Sequence, residues 1–306
     1  MSGAENVGLT TAEPELFDNS TDPESLNIGP SLTRARRLSI ERLERVVREY
    51  APTHIIATVS GGRDSAAEVE FAREIGVKID LLLHCRTGTG IRETTEHVVD
   101  YYGNLGPNFV VADAGNAYER YVMRKGFFGI GRQAHNFSYR ILKADPMRAA
   151  ISREIRKGRR GIRTLILNGA RALESDNRRL NLPETRFDKG NLWVNIIHDW
   201  SQGDRDRYLR LRQTPINPVA VQLCRSGECM CGTMQTAQVR GEAAAIYPEW
   251  GAWLNDLERR ARAKHGWGWG EAMPKPADPR QIDMFQPMCV GCARDDQRDD
   301  RSGDTT

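Results

Sequence analysis

The stretch His54-Ile-Ile-Ala-Thr-Val-Ser-Gly-Gly-Arg-Asp-Ser65 constrains the fold more than any other part of the chain. Ile55 to Val59 read as a buried parallel strand, and Ala67, Phe71 and Ile75 recur at four-residue intervals, as the apolar face of a helix does. Gly61 and Gly62 therefore lie at a strand-to-helix junction. Two glycines there permit positive φ and close backbone approach, so that consecutive N–H groups can form a concave nest for an anion. The helix N-terminus adds its partial positive charge. Ser60 and Ser65 flank Arg63 and supply hydroxyl donors, and Asp64 offers a carboxylate to a magnesium ion that would neutralise phosphates.

The rest of the pattern sets the fold class. Leu38 to Tyr50 places Ile40, Leu43, Val46 and Val47 on one helical face. Strand 54–59 and helix 64–75 lead to a second strand over Ile79 to Leu83, a helix over Glu93 to Tyr102 and a third strand over Asn108 to Ala112. Helices over Ala117 to Lys125 and Pro146 to Lys157 precede a fourth strand, Thr164 to Asn168, and a fifth, Val194 to Ile197. This alternation predicts an α/β fold, a doubly wound and mostly parallel five-stranded sheet with its site at the carboxyl ends of the strands.

No run of about 18 apolar residues is present, so no membrane helix is expected, and without a basic-then-apolar leader the cytoplasm is the default location. The net charge of +3 is unevenly distributed. Residues 1–33 read as an acidic tail, disordered or used for docking, and residues 294–306 as a polar, frayed end. Arg120 to Arg179 is rich in basic residues and suits a polyanion.

Ser60 to Ser65 resembles the PP-loop of the ATP pyrophosphatases, or adenine nucleotide alpha hydrolases, which split ATP between its α and β phosphates. It does not fit Walker A, since no Gly-Lys-Ser/Thr follows. His84-Cys-Arg-Thr-Gly-Thr-Gly-Ile-Arg-Glu-Thr94 is similar to the segment after the second strand in phosphoadenosine phosphosulfate (PAPS) reductases, which implies that Thr87 and Gly88 lie over the nucleotide. Asn168 to Ser175, with Arg178 and Arg179, looks like the family's Gly-x-Arg-x-x-Glu-Ser/Asp-x-x-Arg segment. That likeness puts Gly169 at the nucleotide and has Arg171, Arg178 and Arg179 grip phosphate or sulfate. Asn195 to Ser201, Tyr208-Leu209 and Pro215-Ile-Asn-Pro218 resemble the family's Asp-Trp-Thr…Asn-Pro block, so the likeness runs from about Ile55 to Pro218. Taken alone, Arg171 could bond helix carbonyls, His84 could be a satisfied strand-end histidine, Trp200 reads as a packing residue, and Cys85 as a buried cysteine rather than a sulfur-handling thiol.

On this reading residues 34–205 form the nucleotide-binding domain and residues 206–293 a cysteine-rich helical lobe. The lobe carries Cys224, Cys229, Cys231, Cys289 and Cys292. Clustered cysteines in a cytosolic chain point to metal rather than disulfides. Zinc favours two Cys-x2-4-Cys knuckles, whereas the tight Cys229-Met-Cys231 pair suits the wider sulfur cage of an iron–sulfur cluster. Relatives of the PAPS reductase type, including assimilatory adenylyl-sulfate reductases and the DNA phosphorothioation protein DndC, commonly carry a four-iron cluster. The resemblance thus implies such a cluster (4Fe-4S) on Cys229, Cys231, Cys289 and Cys292, with Cys224 as reserve ligand or free thiol and zinc as the alternative.

The sulfonucleotide reductases usually have a degraded phosphate loop and a mobile C-terminal cysteine; here the loop is intact and no cysteine follows Cys292. The expected activity is therefore that of an ATP- and Mg2+-dependent pyrophosphatase that adenylates an acceptor. Asp64 would place the magnesium, and Arg171, Arg178 or Arg179 would stabilise the phosphates. RNA or DNA is the expected acceptor, met by Arg156, Lys157, Arg159 and Arg160, with a sulfur-donor or reductant protein as further partner. The alternatives are PAPS or adenylyl-sulfate reduction, and an accessory nucleotide-binding subunit of a defence system, since CysH-like proteins are encoded beside some mobile-element and CRISPR operons.

Overall fold

A computed structural model describes residues 29–106 and 108–274. These form two compact units, one of residues 29–115 and 143–230 and the other of residues 116–142 and 231–274. This division differs from the expected boundaries, because a helical excursion after the third strand joins the later chain. Cys289, Cys292 and both expected tails beyond residues 29–274 lie outside the described residues.

The first unit opens with α1 (Gly29–Tyr50), longer than the expected helix. Residues 29–33, read as the end of the tail, are its first turns. Leu32, Ala35, Ser39, Leu43 and Val46 continue one buried stripe. Arg36 interrupts that stripe in the sequence, yet it is buried because its guanidinium donates to Glu74 at 2.8 Å. Strand β1 (His54–Val59) and α2 (Arg63–Glu74) follow as expected. Pairing in β2 (Leu81–Arg86) starts two residues later than the apolar run and continues through His84, Cys85 and Arg86, whose polarity hides the strand. Then come α3 (Arg92–Tyr102) and β3 (Asn108–Asp113).

Returning to this unit, α6 (Asp145–Ile151) is prolonged by a π-helical turn, Ser152–Arg156, and leads into β4 (Thr164–Asn168). A short helix, α7 (Asp176–Asn181), precedes an unexpected hairpin of β5 (Thr185–Asp188) and β6 (Asn191–Asn195). Its two-residue turn has Lys189 and Gly190 both at positive φ, 46° and 82°, the backbone of the tight turn that matches strand twist. The sheet therefore has six strands rather than five. The extra strand, β5, leaves no clear sequence signal because it is a short edge with Phe187 64% exposed.

Strand order is β3-β2-β1-β4-β6-β5, parallel except for the final antiparallel pair. From β1 the chain winds outward to β2 and β3, then returns to β4 on the other side. The reversal opens a crevice outside the carboxyl ends of β1 and β4. Side chains alternate along β1 as its pleat requires: Ile55, Ala57 and Val59 join one core layer with Phe71 and Trp200, whereas Ile56 joins the other with Leu83, Ile151 and Ile166. Trp200 is fully buried, donates to Ser39 Oγ at 3.0 Å and meets Phe71 and Tyr208 edge-on, at 5.2 and 5.0 Å between centroids. Its role is packing. Helices α8 (Gln202–Leu211) and α9 (Pro218–Gln222) complete the unit.

The second unit comprises α4 (Ala117–Lys125), α5 (Arg132–Tyr139), α10 (Ala237–Ile246) and α11 (Pro248–His265). Its tryptophans pack and tie loops: Trp250 and Trp269 are buried, Trp253 donates to Glu119 at 2.6 Å, and Trp267 donates to the carbonyl of Phe127 at 3.3 Å. Among the described residues, no helix is long and apolar enough to cross a membrane.

Glu68 is the residue of α2 that the fold does not accommodate. It is fully buried, neither carboxyl oxygen has a hydrogen-bond partner among the described residues, and burial holds its pKa well above the ordinary carboxylate value of 4.5. Burial without a partner disfavours the charged side chain, so Glu68→Met is expected to stabilise the protein by about 1–3 kcal/mol. A carboxyl whose pKa is raised on folding contributes stability below the unfolded pKa and loses it as pH rises, so the gain should be larger at pH 8 than at pH 4. Urea midpoints of both proteins at the two pH values check this.

Candidate functional site

The crevice is built around the Ser60–Ser65 loop. Gly61 adopts φ +72°, a conformation that favours glycine, and a Cβ there would lie 2.7 Å from Thr94 Cγ2. Gly62 is extended, at φ −87° and ψ 157°, so only one of the two glycines is needed for its φ. The serines brace the loop internally. Ser65 Oγ accepts from Ser60 N–H at 3.1 Å and donates to the carbonyl of Gly62 at 2.9 Å, while Ser60 Oγ accepts from Gly62 N–H at 3.3 Å. Asn217 holds the loop from outside by donating to the carbonyl of Gly61 at 3.0 Å. Pro218 at the first position of α9 biases Asn217 to extended backbone, and its carboxamide oxygen caps that helix through Val219 N–H at 3.0 Å. Among the described residues no side chain caps α2, an N-terminus of the kind that can receive an anion.

Asp64 stands in that first turn. Its Oδ1 accepts from Arg171 Nε at 2.8 Å and from Arg205 Nη1 at 2.7 Å. Arg171 follows β4, is only 2% exposed, and also donates to the carbonyl of Trp200 at 3.3 Å. Arg205 lies in α8, whose N-terminus is fixed by a capping box of Ser201 and Asp204. Burial works against the Arg205 charge, but the contacts with Asp64 and Asp206 outweigh it and raise its pKa. Arg63 approaches the same group, 4.0 Å from Asp206. Gly169 allows β4 to come this close. A Cβ there would lie 2.6 Å from the Asp64 carbonyl oxygen and 2.9 Å from Ser65 N.

The structure thus gathers Ser60, Gly61, Gly62, Arg63, Asp64, Ser65, Gly169 and Arg171 at one switch point, and adds Arg205 and Asn217. Asn217 stands in the Asn-Pro block singled out in the sequence; Arg205 carried only a helix-start signal, Ser201-x-x-Asp204. Arg178 and Arg179 are not in the crevice-facing cluster. They sit on exposed α7 and pair locally, Arg178 with Glu174 and Arg179 with Asp176 at 3.0 Å. Thr87 is a buried support whose N–H donates to Glu228 at 2.8 Å, and Gly88 is exposed but packed closely enough that a Cβ there would meet the Gly115 carbonyl at 2.5 Å.

The basic loop of Arg156, Lys157, Arg159 and Arg160 precedes β4, so it lies at the opposite edge of the sheet from the crevice. Arg156 is engaged there, donating to Asn191 Oδ1 at 2.7 Å, while Lys157, Arg159 and Arg160 are exposed. Cys85 is not an activated thiol, since burial pushes its pKa up to about 12. Cys224 is exposed, and Cys229 is half-buried. In the second unit Cys231 is buried with Sγ 3.3 Å from Thr233 Oγ1.

Ligand atoms of Glu184, His198 and Asp199 fall within 4.8 Å of one another, close enough for a metal. Guanidinium groups already fill that role. Arg42 pairs with Asp199 and, at 2.8 Å, with Glu184, which Arg45 meets at 2.6 Å. The hydrogen bond with His198, aided by Arg42, lowers the Asp199 pKa to about 2, and Asp199 in turn raises that of His198.

A family model described as the phosphoadenosine phosphosulfate reductase domain matches residues 54–234. No curated protein matches the sequence. Solved structures similar to the chain include PAPS reductase from Candida auris in a phosphate complex, at 14% identity and TM-score 0.43, covering 62% of this chain and 89% of that one. NMN synthetase from Francisella tularensis is similar at 11% identity and TM-score 0.44, over 82% of this chain and all (100%) of that one. Yeast FAD synthetase in complex with FAD is similar at 12% identity and TM-score 0.44, over 82% and 89% of the two chains.

The contact of Gly169 with the start of α2 is backbone against backbone, so no side-chain rotation relieves an added methyl. Gly169→Ala should push the two elements apart and destabilise the protein by about 1–3 kcal/mol. Urea midpoints of the two proteins, with circular dichroism to confirm the fold, check this.

Proposed function

Because the chain belongs to the phosphoadenosine phosphosulfate reductase domain family, we propose that its crevice binds an adenine nucleotide by the phosphates and cleaves ATP between the α and β phosphates. The observation that carries this reading is the convergence of Arg171 and Arg205 on Asp64 at the uncapped start of α2. Arg63, Arg171 and Arg205 face two carboxylates, Asp64 and Asp206, at a helix N-terminus, an excess of positive charge that a phosphate chain would complete.

An acceptor oxygen attacks the α phosphorus, the bond to the bridging oxygen breaks, and pyrophosphate leaves with the electron pair. The N–H groups at the start of α2 hold the leaving pyrophosphate. Arg171 and Arg205 stabilise the charge that gathers on it, in place of the Arg178 and Arg179 named from the sequence. Asp64 Oδ1 keeps both cations in place. Its Oδ2 has no partner among the described residues, and a carboxylate oxygen facing phosphates fits a hard cation, so Asp64 is the residue that would hold magnesium. When bound, magnesium supplies charge neutralisation.

The acceptor class proposed is RNA or DNA, supported by the exposed Lys157, Arg159 and Arg160. Their place at the far edge of the sheet makes them a docking surface for a polymer long enough to reach round to the crevice. An iron–sulfur cluster for sulfur transfer remains a proposal on Cys229 and Cys231 together with Cys289 and Cys292, which lie outside the described residues. The second reading, sulfonucleotide reduction, is supported by the family match itself; the raised pKa of Cys85 speaks against that thiol as its nucleophile.

Anaerobic incubation with α-labelled ATP and magnesium, with and without RNA or DNA, tests the proposal. AMP or an adenylated polymer plus pyrophosphate is expected, and Arg205→Ala should lower its rate about 10²–10³-fold. Sulfite release from PAPS, with ATP left intact, would favour the reductase. Binding of ATP without turnover in any mixture would favour an accessory subunit.

A further inference from the structure

Residues 226–230, between the exposed Cys224 and the buried Cys231, run as a strap over the loop that follows β2. The two segments interlock through the backbone. Thr87 Oγ1 donates to the carbonyl of Glu228 at 2.6 Å, Ile91 N–H to that of Gly227 at 2.9 Å, and Thr94 Oγ1 to that of Ser226 at 2.5 Å. Met230 N–H donates back to Thr89 Oγ1 at 3.0 Å. No side chain fits between them: a Cβ on Gly90 would lie 2.6 Å from the Glu228 carbonyl oxygen.

The Glu228 side chain is buried in this seam. Its Oε1 accepts from Thr87 N–H at 2.8 Å, and Thr95 Oγ1 donates to Oε2 at 3.4 Å. His84 Nε2 faces Oε2 at 3.3 Å, off the line of a hydrogen bond. The other ring nitrogen, Nδ1, lies 2.8 Å from the carbonyl of Val59, which can only accept, so Nδ1 carries the proton. Val59 ends β1 and is followed directly by Ser60. A second route runs from the Ser226 carbonyl through Asn217 Nδ2, 3.2 Å away, to the carbonyl of Gly61 at 3.0 Å. The strap thus reaches both ends of the Ser60–Gly61 turn.

We infer that Glu228 is a positioning residue, which sets the Ser60–Ser65 loop through His84 and so couples the cysteine-bearing strap to nucleotide affinity. The affinity part rests on the proposed nucleotide reading; the geometric part does not. Glu228→Gln keeps an acceptor for Thr87 N–H and turns an amide donor toward His84 Nε2, whereas Glu228→Ala leaves both facing a void. A purely structural carboxylate would lower stability and leave KM unmoved.

The test measures ATP turnover and the backbone amide resonances of the unliganded protein. E228A should raise KM for ATP about tenfold with kcat within about twofold, and E228Q should restore it. In a double-mutant cycle, His84→Ala should add little to E228A. Without ligand, the amides of Ser60 to Gly62 should shift in E228A and stay near their wild-type positions in E228Q. Unchanged loop amides in E228A, a Gln variant as impaired as the Ala, or additive effects of the two substitutions would overturn the inference. Wild-type protein that does not turn over ATP would overturn the nucleotide reading instead, and the amide shifts would still decide the role of Glu228. Should E228A not fold, Glu228→Asp, which keeps the charge but shortens the reach, carries the same tests.

Discussion

Asp64 is the anion on which the crevice depends. Two arginines from distant parts of the chain, Arg171 after β4 and Arg205 in α8, are drawn to a single carboxylate oxygen in the first turn of α2. A guanidinium buried as deeply as Arg171 is unfavourable without a counter-charge, so Asp64 is what lets both cations stand at a helix N-terminus. The same arrangement leaves the site short of negative charge. Two carboxylates, Asp64 and Asp206, face three guanidiniums, those of Arg63, Arg171 and Arg205, and the positive end of a helix, and on the proposed reading a phosphate chain supplies the missing negative charge.

Close backbone approach converts that electrostatic arrangement into a fixed geometry. Gly169 brings the β4 loop against Asp64 and Ser65, Gly61 turns beneath Thr94, and Asn217 grips the Gly61 carbonyl from α9. The serines of the loop serve the loop itself, satisfying its own N–H and carbonyl groups. What remains for a ligand is the uncapped first turn of α2 and the guanidinium groups, with few rotatable bonds to order when a ligand arrives.

How much of this could be read from the sequence follows from which interactions are local. The strand-turn-helix at His54–Ser65, the parallel sheet and the switch point all follow from periodicity and glycine placement, and so does Gly169 beside Arg171 once strand order is known. Arg205 and Glu228 each act across a sequence separation of 141 residues, and no local pattern distinguishes them from other polar residues; Asn217 stands in the Asn-Pro block, but its contact with Gly61 spans 156 residues and only the fold shows it. Arg178 and Arg179 share the chemistry of Arg171, but helix α7 turns them outward to Glu174 and Asp176. The basic run at Arg156–Arg160 shows a second limit. Charge counting found an exposed patch, but only the topology says that a segment preceding a strand lies at the opposite edge from a loop that follows one. The edge strand β5 and the first turns of α1 were hidden for a related reason, the one by exposed apolar residues and the other by an arginine buried against Glu74.

The central claim is that the Ser60–Ser65 loop, with Arg171 and Arg205, is built to receive the phosphates of a nucleotide. Backbone amide resonances followed during titration with magnesium pyrophosphate test it most directly. Saturable shifts centred on residues 60–65 and 169–171, absent when sulfate-free buffer alone is added, are the predicted result. Saturation elsewhere on the protein, with these amides unmoved, would contradict the account.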